Sequence, residues 1–89
     1  MNNIIKKNSI VYCIFSFNPT TTIANGTSFA KIPKEYNPSY GSGFFAPLYD
    51  TNGNTKGVAW VSVSGDIFYY GTTSLASNVP IYTSFSYMQ

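Results

Sequence analysis

Histidine is missing altogether from these 89 residues, which removes the commonest general base and the commonest metal ligand together. Cysteine occurs once, at Cys13, so no disulfide can form within the chain. The thiol sits in an apolar run, where it reads as a small buried hydrophobe. Charge is scarce: 9% of residues are charged, the net charge is +2, and Lys6-Lys7 is the densest basic pair. A nucleic-acid binder needs a basic stripe to meet phosphates, so that partner is excluded. The only acids are Glu35, Asp50 and Asp66, none close to another in sequence. A glycosidase pair would form only if the fold brought two of them together. No glycine loop of the phosphate-cradling kind occurs, and no Ser/His/Asp set exists. Asp50-Thr51-Asn52-Gly53-Asn54 resembles a calcium loop only superficially, because Thr55 and Val61 stand where an EF-hand places glycine and glutamate. The residues therefore supply no catalytic site, no metal site and no cofactor site. Nothing in them calls for insertion into a membrane.

What is present is aromatic and β-forming. The chain holds eight Tyr, seven Phe and Trp60, with 44% hydrophobic residues overall. That balance excludes disorder. At this length one domain is expected, spanning residues 1–89, with a folded surface of roughly 5,200 Å² against roughly 14,000 Å² unfolded. The polar complement is Ser, Thr, Asn and Tyr, the vocabulary of surfaces that contact sugars or proteins.

The organising stretch runs from Gly43 to Gly71 and reads as three strands joined by two turns. Asn52-Gly53 predicts a two-residue type I′ turn, since both central residues of that turn need positive φ. Ser64-Gly65-Asp66 predicts the second link. Between them, Val58 to Val63 is rich in the β-branched and aromatic types that suit a pleated surface. Upstream, residues 1–9 read as a lead-in. Ile10 to Phe17 reads as a strand and not as a secretion signal, because its apolar run is short and lacks a clean cleavage site. Both its faces are apolar (Ile10, Tyr12, Ile14 against Val11, Cys13, Phe15, Phe17), which predicts a central strand covered on two sides. Asn25-Gly26 predicts another hairpin, followed by a short strand from Ser28 to Ile32. Residues 33–43, with Pro33 and Pro38, form the longest irregular loop and carry Tyr36 and Tyr40. Val79 to Met88 is the last strand, with Ile81, Phe85 and Tyr87 inward and the chain end at the edge of the fold. No helical period holds over two turns. The fold class is all-β: a small antiparallel β-sandwich of about six strands over residues 10–88.

Binding is the role these residues leave open. Trp60 and the tyrosines can offer flat faces to the C–H-rich faces of a sugar. The candidate ligand-binding residues are Tyr36 and Tyr40 in the long loop, Asp50 and Asn52 at the hairpin, and Trp60. The aromatics would stack, and Asp or Asn would hydrogen-bond hydroxyl groups. The competing reading packs Tyr36 and Tyr40 onto the sheet edge and buries Trp60 in a core or subunit interface.

Ala24-Asn25-Gly26-Thr27 and Ile32-Pro33-Lys34-Glu35-Tyr36-Asn37-Pro38, followed by Phe45-Ala46-Pro47, Gly57 to Val63, Ser64-Gly65-Asp66-Ile67 and Thr83-Ser84-Phe85-Ser86-Tyr87, resemble the C-terminal head domains of bacteriophage tail-fibre and baseplate receptor-binding proteins. The resemblance covers Ile10 to Met88. It departs from the usual pattern at Glu35 and Asn37, and in the order of Gly65-Asp66. It implies a non-catalytic β-sandwich head, commonly a homotrimer, that sits on a virion tail and attaches to host cell-surface polysaccharide or protein. Two other functions fit the same residues: a structural trimerisation or capping module of a fibre, and a small glycan-active enzyme.

Overall fold

The computed structural model describes residues 3–38 and 43–89. Seven strands alternate with short turns: β1 (Asn3–Lys7), β2 (Ile10–Phe17), β3 (Ser28–Lys31), β4 (Phe44–Tyr49), β5 (Thr55–Val61), β6 (Asp66–Tyr70) and β7 (Ile81–Met88). A 3₁₀ turn, Lys34–Tyr36, follows β3. All pairings are antiparallel, in one sheet of order β1-β2-β7-β4-β5-β6-β3. The sheet curls until its far members meet: Phe17 of β2 stacks on Phe29 of β3 with centroids 4.8 Å apart. The all-β antiparallel architecture is thus realised as one curled sheet whose halves face each other across a common core. Its surface of 5375 Å² is that of a compact chain of this length.

Alternation builds the core. Val11 and Cys13, Ala46 and Leu48, Ala59 and Val61, Ile67 and Tyr69, and Ile81 and Tyr87 all point inward and are buried. The members of each pair are an even number of residues apart on their strand (two, or six for Ile81 and Tyr87), so the opposite face of each strand carries the intervening residues. Tyr69 and Tyr87 bring polar tips inside and satisfy them. The Tyr69 hydroxyl donates to the Thr73 carbonyl, and the Tyr87 hydroxyl donates to the Tyr36 carbonyl at 2.6 Å.

Several local expectations change in the folded chain. The lead-in is structured, since Asn3–Lys7 pairs along β2 through the tight turn at Asn8-Ser9, where Asn8 takes φ +58°. The turn at Asn52-Gly53 is not type I′. It is a three-residue loop in which Gly53 donates to the Asp50 carbonyl at 3.1 Å and Asp50 N–H reaches the Asn54 carbonyl at 2.9 Å. Only Gly53 has positive φ there, because the Asp50 carboxylate accepts from Asn52 and Asn54 N–H and stabilises the tighter first half of the turn. The Val63-Ser64-Gly65 link has the same form, with Gly65 bonded to the Ser62 carbonyl at 3.0 Å. Asn25-Gly26 turns the chain but makes no hairpin: Ile23 bridges Leu75, and β3 pairs with β6. The last strand is interior to the sheet. It lies between β2 and β4, and Ile10 to Phe17 pair residue by residue with Met88 to Ile81. Finally, β2 is covered on one side only. Val11 and Cys13 are buried, while Tyr12 and Ile14 are 46% and 59% exposed.

Candidate functional site: an aromatic row on the outer sheet face

The inward set Ala46, Ala59, Val61 and Ile67 turns Phe45, Trp60 and Phe68 outward, and the strand register sets these three in one row: Phe45 opposite Trp60, and Trp60 opposite Phe68. The Trp60 and Phe68 rings are 5.5 Å apart and inclined by 35°. Phe45 is 65% exposed. Neighbouring strands are about 4.8 Å apart, so the row is roughly 10 Å long, on the order of two pyranose rings. Pro47, Val58 and Tyr70 form a second, parallel row beside it. Neither row contains a charged side chain.

Of the described residues expected to bind, Trp60 alone lies on this face, half-buried between Phe45 and Phe68 and outside the core. Tyr36 lies in the 3₁₀ turn and packs against the core, with its carbonyl engaged by Tyr87. This is the packed alternative for Tyr36. Tyr40 lies outside the described residues. Asp50 and Asn52 sit at the β4–β5 turn, where the Asp50 carboxylate serves the turn itself and stands 3.9 Å from the Lys56 ammonium. The Asn54 and Asn52 N–H groups and Lys56 hold its pKa below the usual carboxylate value. Trp60 is five residues from Thr55 along β5, about 17 Å of strand, so the hairpin residues and the tryptophan do not form one site.

Asp50 and Asp66 fall at opposite ends of the sheet, and Glu35 lies in the 3₁₀ turn Lys34–Tyr36. Asp66 starts β6 beside the Val63–Gly65 link, where it accepts from Ser64 at 2.9 Å and from Lys31 at 3.4 Å. Those bonds lower its pKa. Asp50 is at the far end of β5, about 20 Å away by strand rise, well beyond the separation of a glycosidase pair. A general acid needs a raised pKa, and both aspartates are shifted the other way. Among the described residues no group of three or more His, Cys, Asp or Glu could hold a metal, and no helix is long and apolar enough to cross a membrane.

A concavity lies at the Asp50 end. It is a cleft of about 620 Å³ between β5, the start of β7 and the loop after β6. Thr55, Thr72, Thr73 and Ser74 line it with hydroxyl-bearing residues, Leu75 and Ile81 give it apolar walls, and Lys56 is its one charged residue. The loop is pinned by Tyr69 beneath it and by Asn25, whose side-chain oxygen accepts from Gly71 N–H at 2.9 Å. With no acid among its lining residues, the cleft suits a hydroxyl-bearing molecule or solvent better than proton transfer.

Phe45 and Phe68 were not singled out in the sequence. The signal was there, since each alternates with buried neighbours as Trp60 does, but their alignment depends on strand register. The chain matches no protein-family model and no curated protein.

Proposed function

We propose that this domain is a non-catalytic attachment head, of the kind carried by bacteriophage tail fibres and baseplates, that lays the Phe45–Trp60–Phe68 row against a glycan on a host bacterial surface. The supporting observation is the row itself: three aromatic side chains, in register on adjacent strands, on the outer face of a sheet that already has a filled core. An aromatic face gains by covering the C–H face of a sugar, while the sugar hydroxyls stay in water at the row's margins. No charge is needed, and the row has none. One such contact is weak, so several copies presented together on a virion tail would supply the avidity that cell attachment requires.

The test is binding of the purified domain to host cells and to their isolated wall polysaccharide. Removing one ring by Trp60→Ala or Phe45→Ala should weaken binding on the order of tenfold, about 1.4 kcal/mol. A Trp60→Ala protein that stays folded and binds undiminished would overturn the reading. A second reading, a structural module that assembles copies of a fibre, is favoured by a separate aliphatic patch on β1, β2 and β7.

A further inference from the structure

The outer face of β1, β2 and β7 has a different chemistry from the aromatic row. Register places Ile5 beside Tyr12, and Ile10 beside Met88, with Ile14 next along β2. Ile5, Ile14 and Met88 are 61%, 59% and 61% exposed, and Tyr12 is 46% exposed. Branched aliphatic side chains have no flat π-face to stack on a sugar. The outward positions of β2 and β7 carry no charge, and Lys7 stands at the corner of the patch beside Ile10. Ser84 and Ser86 on β7 are short, so a flat partner can approach closely.

We propose that this patch is where two copies of the chain bury the same face on one another across a two-fold axis. The area fits. Four large side chains exposing on the order of 100 Å² each give about 400 Å² of apolar surface per copy. Two copies contribute about 800 Å², and because homomeric interfaces are about 65% apolar the whole contact comes to about 1,200 Å², where specific interfaces begin. Tyr49 and Tyr82, 41% and 42% exposed and paired where β4 meets β7, lie at the margin and extend it. Identical faces meeting each other are what a two-fold axis requires, since each copy then offers an uncharged apolar face to an identical one. A patch of this size on a chain that stayed single would be at the upper end for monomers.

This inference names the surface through which the copies invoked above would assemble, but glycan contact by one domain does not depend on it. The test is solution mass by light scattering behind a sizing column, over a dilution series, for the unaltered chain, Ile14→Arg, Ile5→Arg and Val63→Arg. The unaltered chain should weigh two chains. Ile14→Arg and Ile5→Arg should each fall to one chain, with at least tenfold weaker association and an unchanged circular dichroism spectrum. Val63→Arg, in the β5–β6 turn, should keep the parent mass. A single-chain mass for the unaltered protein at every concentration would overturn the proposal. So would folded Ile14→Arg and Ile5→Arg proteins of parent mass. Glycan binding by a monomeric Ile14→Arg protein, read per domain, separates failure of the assembly from failure of the aromatic row.

Discussion

Gly57→Ala should cost far more than Gly53→Ala, although both glycines have positive φ, +99° and +80°. Gly57 sits where the β4–β5 register shifts between Pro47 and Tyr49. A Cβ there would lie 2.7 Å from the Tyr70 backbone oxygen and 2.9 Å from the Tyr69 ring, whereas a Cβ at Gly53 would meet nothing within 4 Å. Left-handed backbone costs an L-residue about 1–2 kcal/mol at either site, partly offset by about 0.4–1 kcal/mol from the stiffer unfolded chain. At Gly57 the methyl also displaces backbone and a buried ring, a further ~1–3 kcal/mol. The expectation is about 1 kcal/mol or less for Gly53→Ala and about 2–4 kcal/mol for Gly57→Ala. A domain of this size is stable by roughly 4–13 kcal/mol, so the larger loss is a substantial share. Urea unfolding followed by Trp60 fluorescence reads both, since Trp60 is the only tryptophan. With a slope of about 1–1.5 kcal/mol/M, Gly57→Ala should lower the midpoint by roughly 2 M and Gly53→Ala by under ~1 M. Equal midpoints for the two variants would refute the claim that close approach to β6, and not φ alone, fixes glycine at position 57.

Three further outcomes follow from the hydrogen-bonded and buried side chains. Asp50 and Asp66 have depressed pKa values in the folded chain, so near pH 4 the unfolded chain binds more protons; stability should be level above about pH 5 and fall as pH drops through the folded values. Asp50→Asn should make that acid limb shallower in urea titrations across pH, and an unchanged limb would remove Asp50 from the account. Burial raises Cys13 and Tyr69, so the folded chain keeps those protons longer and stability should decline as pH rises beyond about 8.5; Cys13→Ala should delay the decline. Tyr87→Phe deletes the bond to the Tyr36 carbonyl and should cost about 1–2 kcal/mol, read from the urea midpoint; no loss would show that the 3₁₀ turn is held by other contacts.

What the sequence determined by itself was local. Period-two alternation grouped Val11 with Cys13 and Ala59 with Val61 on one face each and placed Ile81 and Tyr87 inward, and all six are buried. The turn residues at Asn52-Gly53 and Ser64-Gly65 marked both links of the central meander, though not the turn type at the first, because the Asp50 side chain chose it. The absence of histidine and the separation of the three acids bear on chemistry without any fold. Tertiary structure decided the rest. Ile10–Phe17 pairs with Ile81–Met88 across most of the chain, and such a pairing is set by mutual fit of two complete strands, which no window of sequence contains. That pairing set the last strand in the interior of the sheet. It also decided which apolar face of β2 found a core and which, at Tyr12 and Ile14, was left outside. Trp60 was visible as a candidate, but its row with Phe45 and Phe68 exists only because register aligns three strands, since alternation tells which way a side chain points and only pairing tells what stands beside it.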